Sequence, residues 1–167
     1  MRQAMPTHFA SKEAARQAGL LEQPTLRLLG PNERGRRLLT DETGDVVGFA
    51  EEVRPWWPWA RSLWVHEAFE EPVVFRVRRL WALRPRWRVL DADGEEVGTV
   101  GGPVLLDRWD RVVFRRVAAG RVFELADGGG TAAEWVANGD GGRLALQAAV
   151  RDDPFWKMLL LAAVLVG

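Results

Sequence analysis

Two stretches of the chain gather side chains able to recognise anionic or interfacial ligands. Between Phe75 and Arg88 stand Arg76, Arg78, Arg79, Arg84, Arg86 and Arg88, interleaved with Trp81 and Trp87. A guanidinium presents a planar fork of N–H donors that grips phosphate bidentately, and clusters of such cations are drawn to anionic lipid surfaces. The competing reading is an outward strand face neutralised by Glu67, Glu70, Glu71, Asp91, Glu95 and Glu96, and it is preferred. The second stretch, Arg54-Pro-Trp-Trp-Pro-Trp-Ala-Arg-Ser-Leu-Trp64, cannot form a regular strand because of Pro55 and Pro58. Exposed, Trp56, Trp57 and Trp59 would anchor in the headgroup zone that indole rings favour. Buried, they would cap a folded core, the ordinary fate of tryptophan. Arg76, Arg78 and Arg88 with Trp56, Trp57 and Trp59 are the candidate lipid-contact residues.

Catalytic chemistry has little to work with. The serines are Ser11 and Ser62 and the histidines His8 and His66. Ser62 and His66, four apart on a strand, would share a face yet lie too far apart for a hydrogen bond. The chain has no H-E-x-x-H, P-loop or nucleophile elbow. Asp91-Ala-Asp-Gly94 with Glu95 and Glu96 resembles a calcium loop only in part. An EF-hand wants glycine at position 6, and here it arrives at position 4, so a solvated turn is the better reading. Catalysis is not expected, and neither a metal nor a cofactor is implied.

Composition bounds what must position these residues. A chain of 167 residues forms one domain, able to bury about 70% of its unfolded surface. Hydrophobic content of 47% and charged content of 28% are ordinary for a globular protein. The formal net charge is zero, which gives no general attraction to nucleic acid or to a strongly anionic membrane. Absence of cysteine removes disulfides, thiolate metal sites and thiol nucleophiles. Lysine occurs only at Lys12 and Lys157, so arginine supplies the rest of the 23 basic residues. A GC-rich genome explains that bias as well as phosphate recognition does, and is preferred. No apolar signal region opens the chain, so a cytoplasmic location is expected, with peripheral membrane attachment if the lipid reading holds.

Residues 1–24 read as an arm, partly disordered or forming a short helix over Ser11–Leu21 that Pro24 ends. From Thr25 to about Val150 the texture is all-β, with short alternating runs separated by Gly, Pro, Asp and Asn. Candidate strands are Thr25–Leu29, Arg36–Thr40, Val46–Val53, Arg61–Glu67, Val73–Arg79, Trp87–Leu90, Glu96–Val100, Arg111–Arg116, Arg121–Leu125, Ala132–Ala137 and Leu144–Val150. In Val73–Arg79, Val73, Phe75 and Val77 share one face and Val74, Arg76 and Arg78 the other, the mark of a half-buried strand. Their short connections predict antiparallel pairing. An internal repeat agrees: Asp41-Glu-Thr-Gly44-Asp-Val-Val-Gly48 is echoed by Asp91-Ala-Asp-Gly94-Glu-Glu-Val-Gly98, and more faintly by Asp127-Gly-Gly-Gly130-Thr-Ala-Ala-Glu134. Each reads as a hairpin turn. The first glycine is free to adopt positive φ, and the second suits a bulge or a close backbone approach.

The closing segment, Asp153-Pro-Phe-Trp-Lys-Met-Leu-Leu-Leu-Ala-Ala-Val-Leu-Val-Gly167, must be a helix buried on all sides. Asp153 caps it and Pro154 suits its first position. From Pro154 to Gly167 it would span roughly 21 Å at about 1.5 Å per residue. A bilayer core needs about 30 Å. It is too short to cross alone, and Lys157 shortens its uncharged part further. About eleven strands followed by such a helix predict a closed barrel with the helix, residues 154–166, at its centre.

At this point the chain resembles a known group. Glu70–Val100, EEPVVFRVRRLWALRPRWRVLDADGEEVGTV, is similar to the centre of the phospholipid scramblase and LURP-one-related families, and Asp153–Gly167 to their C-terminal segment. The resemblance covers about residues 25–166. It implies the tubby C-terminal-like fold, an all-β closed antiparallel barrel of about twelve strands enclosing a hydrophobic C-terminal helix. It also implies a non-enzymatic protein contacting phospholipid headgroups or the membrane surface. The alternative is a soluble protein-interaction or structural module without lipid activity. Departures from the family are the missing cysteine cluster, proline-rich arm and complete calcium segment. Tubby-like domains bind phosphoinositides through basic residues, but none of those can be placed on this chain.

Overall fold

The structure is a computed structural model that describes residues 19–54, 60–68 and 72–167. Its strands are β1 (Thr25–Pro31), β2 (Arg37–Thr40), β3 (Val46–Val53), β4 (Ser62–Glu67), β5 (Val73–Leu80) and β6 (Arg86–Asp91). They continue as β7 (Glu96–Gly101), β8 (Val104–Asp107), β9 (Val112–Val117), β10 (Val122–Leu125), β11 (Thr131–Asn138) and β12 (Gly141–Leu146). Every strand pairs antiparallel with its sequence neighbour, and β1 pairs with β12, so the sheet closes into a twelve-stranded barrel. Closure leaves no unpaired edge.

Alternation along each strand sends one set of side chains inward. Phe75 and Val77 of β5, Phe114 of β9 and Phe123 of β10 point into the core with Val65, Val89 and Leu105. The central helix, Pro154–Val166, fills the remaining space. Lys157 to Ala163 are buried without interruption, nearly two turns with no outward face, and only enclosure permits that. The Asp153 carboxylate accepts hydrogen bonds from Phe155 N and Trp156 N at 2.9 and 3.1 Å, satisfying two of the free donors at the helix start.

Two sequence expectations need correction. β8 was not among the candidate strands. Val104–Asp107 has only four residues after the Gly101-Gly102-Pro103 turn, too few for alternation to register. The expected strand Leu144–Val150 begins earlier and ends sooner. β12 starts at Gly141, where a Cβ would strike the Leu28 carbonyl oxygen, and Ala148–Arg151 forms a helical turn that buries Val150.

The repeated turns are real, but the third copy is a different one. Gly44 and Gly94 adopt φ of 89° and 87°. Asp41 Oδ1 accepts from Thr43 N and Asp45 N, both at 2.9 Å, and Asp91 Oδ1 accepts from Asp93 N and Glu95 N at 3.0 and 2.9 Å. Asp107 does the same for Trp109 N and Arg111 N, with Asp110 at φ 60° where the others have glycine. In the fainter Asp127 segment, Leu125 stands at the aspartate's place, its carbonyl accepting from Gly128 N at 3.2 Å. Each of these four hairpins shifts register by one residue just past its turn, the signature of a β-bulge. The second glycines explain themselves by proximity. A Cβ on Gly48 would lie 2.5 Å from the His66 carbonyl oxygen, and one on Gly98 would strike that of Leu106.

Candidate functional site

Antiparallel order puts alternate connections at opposite mouths of the barrel. One mouth receives the β1–β2, β3–β4, β5–β6, β7–β8, β9–β10 and β11–β12 connections and the C-terminus of the central helix. Its described connections carry Arg34, Arg36, Arg54, Arg61, Arg84 and Arg121 against Glu33 and Asp140. Arg37, Arg79 and Arg86 flank them on the strand ends, with Glu51 and Glu52 at the end of β3. The other mouth is acidic. Asp41, Glu42 and Asp45 lie in the β2–β3 turn, Asp93 and Glu95 in the β6–β7 turn, Asp110 and Asp127 in two others, and Asp152 and Asp153 before the helix, against Arg108, Arg111 and Arg151. A net charge of zero therefore conceals a separation along the barrel axis. Turn chemistry accounts for part of the acidic mouth, because Asp41, Asp91 and Asp107 each hold a hairpin. Among the arginines, Arg36, Arg54 and Arg61 pair with Glu51 and Glu52 on β3.

The structure brings the three candidate arginines onto one outer face. Arg76 and Arg78 alternate outward on β5, and Arg88 on β6 stands directly opposite Arg78 in the register. Like charges facing across a ladder repel, and the Glu96 carboxylate, 3.3 Å from Arg88 Nε, relieves one of them. Arg76 lies 5.0 Å over the ring of Trp64, a cation–π contact, and its Nε is buried without a hydrogen-bond partner. Arg78, Arg79 and Arg88 line an open depression of about 850 Å³ with Leu80 and Trp81. Trp56, Trp57 and Trp59 lie outside the described residues.

Sequence reasoning singled out Trp81 among the arginines but missed Leu83, which completes the apolar tip of this hairpin. Trp81 is 88% exposed and Leu83 fully exposed, at the turn joining β5 to β6, with Arg79 and Arg84 beside them. The signal was present in the sequence. Leu-Trp-Ala-Leu places large apolar side chains on a turn outside the barrel core.

Sequence reasoning also missed the inner ring at the same mouth. Arg37 shares the inward face of β2 with Leu39, and Arg116 that of β9 with Phe114, each one step beyond the core. Arg116 Nη2 donates to Ala163 O at 2.7 Å and Arg37 Nη1 to Leu165 O at 3.3 Å, satisfying free carbonyls at the negative end of the helix. Burial lowers the Arg116 pKa, since its charge gives up water. Its guanidinium sits 5.4 Å from the Phe123 ring centre, and its Nε is buried without a partner. Beside it the indole of Trp135 lies over Gly142, where a Cβ would come within 2.5 Å of the ring.

At the acidic mouth, Gly19–Gln23 crosses the opening as a short strap. Leu20 is fully buried, its N–H donates to both Glu67 carboxylate oxygens at 3.0 and 2.9 Å, and Lys157 Nζ donates to Leu21 O. Burial raises the Glu67 pKa against the opposing Leu20 hydrogen bond, with the nearby Glu22 charge adding to the rise. Burial likewise lowers that of Lys157. His66 serves packing on the outer face of β4. It stacks on Phe49 at 4.7 Å, with its Nε2 3.4 Å from Glu51, which also holds Arg36 at 3.0 Å. Among the described residues no three His, Cys, Asp or Glu side chains gather to hold a metal ion, and no helix is long and apolar enough to cross a membrane.

No family model and no curated protein matches the chain. Among solved structures, the X-ray structure of the Arabidopsis thaliana protein AT5G01750 is similar, with a TM-score of 0.59 and 14% sequence identity over 88% of this chain and 97% of that one. At that identity the likeness is one of fold.

Proposed function

We propose that the protein is a non-enzymatic barrel that docks its arginine-rich mouth on the headgroups of anionic phospholipids. The observation that carries this reading is the separation of charge along the axis, with the most exposed apolar side chains, Trp81 and Leu83, at the basic mouth, against the less exposed Trp109 and Phe155 at the acidic one. Apolar tips insert into the interface and flanking cations hold the surface. Each arginine near an anionic membrane contributes about 1 kcal/mol at physiological salt. The resemblance of Glu70–Val100 and Asp153–Gly167 to scramblase and LURP-one-related proteins points the same way. Arg76, Arg78 and Arg88 sit on the flank below this mouth, positioned to add headgroup contacts once it is docked.

A second reading, a protein-interaction module, is favoured by the pairs Arg36–Glu51, Arg54–Glu52 and Arg88–Glu96, which neutralise part of the basic surface. Vesicle co-sedimentation separates the two. The first predicts binding to vesicles containing phosphatidylserine and little to pure phosphatidylcholine. Binding should weaken as salt rises and the Debye length shrinks from about 10 Å at 0.1 M to 3 Å at 1 M. Replacing Trp81 and Leu83 by serine should remove most of the binding while shifting stability by no more than about 0.5 kcal/mol. Equal indifference to both vesicle types at low salt would hand the function to the interaction module.

A further inference from the structure

We infer that the arginine-rich mouth contains a site for the phosphate of one phospholipid, held between Arg37 and Arg116, with the lipid's apolar part lying on Leu28, Phe123, Trp135 and Val164. The inference rests on the lipid reading above and gives it a defined pocket. These side chains line one depression of about 590 Å³ beside the end of the central helix. On the outer face Arg36, Arg54, Arg61, Arg88 and Arg143 each meet a carboxylate. Neither Arg37 nor Arg116 meets a carboxylate within ion-pair distance among the described residues. Asp140, the acid on the depression's rim, packs over Gly30 instead.

Each guanidinium turns one N–H onto a helix carbonyl, which anchors it and leaves further terminal N–H donors on its fork. Arg116 is half buried with its Nε unsatisfied, so its charge is desolvated without a counterion. That state is costly, and a bound anion relieves it. Phosphate suits two guanidiniums better than a carboxylate does, having more oxygens to share. The Ala118–Ala119–Gly120 turn between β9 and β10, with φ of 50°, 57° and 84°, holds the rim of this depression in an uncommon conformation next to Arg116. The apolar lining has no use for free phosphate. It selects a lipid.

The test is calorimetric titration of the full chain with dihexanoyl phosphatidate as monomers, against inorganic phosphate and dihexanoyl phosphatidylcholine. Phosphatidate should bind at least about tenfold more tightly than either comparator. Arg37→Gln and Arg116→Gln should each weaken it by about tenfold, as loss of a charge-assisted hydrogen bond does. Arg143→Gln, on the outer face, should leave it unchanged. Thermal melting checks each variant. If Arg116→Gln fails to fold, Arg37→Gln alone decides, because its anchoring bond is the longer of the two. Equal affinity for phosphatidate and inorganic phosphate, or no loss in Arg37→Gln, overturns the pocket. Vesicle binding without monomer binding sinks the pocket and spares the docking mouth, whereas monomer binding without vesicle binding does the reverse.

Discussion

At the acidic mouth a leucine from the strap fills the opening and the tight Asp-based turns draw the rim in, whereas at the basic mouth two guanidiniums sit above the core with donors to spare. An apolar plug has done its work once it is buried. A charged lid keeps a capacity for further bonds. One end of the barrel is therefore closed by apolar packing and the other by charged side chains, and the same contrast governs what substitutions should do.

The largest effect removes both ends together. Leu160 is buried at the middle of the central helix, and Leu160→Asp places an unpaired carboxylate where no water reaches. The expected result is loss of the cooperative melt, read by circular dichroism. A variant melting within a few degrees of the parent would place the helix outside the barrel. Leu20→Ala comes next. It should cost about 2–5 kcal/mol by denaturant titration, the usual price of truncating a buried leucine, yet leave vesicle binding intact. Loss of vesicle binding in folded Leu20→Ala would mean the two mouths are not independent.

A pH series sharpens the contrast further. The raised Glu67 pKa means that the folded protein holds this proton more tightly than the unfolded chain does. Its contribution to stability is therefore full below the ordinary carboxylate value and is lost as pH rises through the folded one. Glu67→Gln should flatten the stability profile across that window while leaving the acid limb set by the other carboxylates. An unchanged profile would show that the strap does not desolvate this group. The smallest effect concerns the turns. Gly94→Val meets no steric obstacle but forces a side chain into positive φ, so it should cost about 1–2 kcal/mol by chemical denaturation. A cost near zero would detach the glycine from its backbone role.

What the sequence revealed divides along similar lines. The helix could be read residue by residue because Asp153 and Pro154 mark its start and no polar face follows. Gly44 and Gly94 announced their turns because glycine there is a local requirement. The Asp107 turn stayed hidden because Asp110 occupies the positive-φ place itself. β8 was too short to show a period. Arg37 and Arg116 were invisible for a different reason. Nothing in their neighbourhoods separates an inward mouth position from an outward one, and they meet only because the barrel closes on a helix that lies far from both in the chain. Leu83 could have been found beside Trp81, since apolar residues in a turn ask for an explanation.

All twelve strands precede the helix that fills them. A partly assembled sheet thus has inner faces of Phe, Val and Leu and nothing to set against them. β1 must wait for β12, and the strap closes on Lys157 across a separation of 136 residues. Contacts so distant in sequence demand loop closure before they return any free energy, which makes folding slow and nearly all-or-none. During that interval the exposed apolar strands are prone to aggregate. The chain should therefore depend on chaperones, or on low concentration, while it folds, far more than the finished barrel's lack of sheet edges would imply.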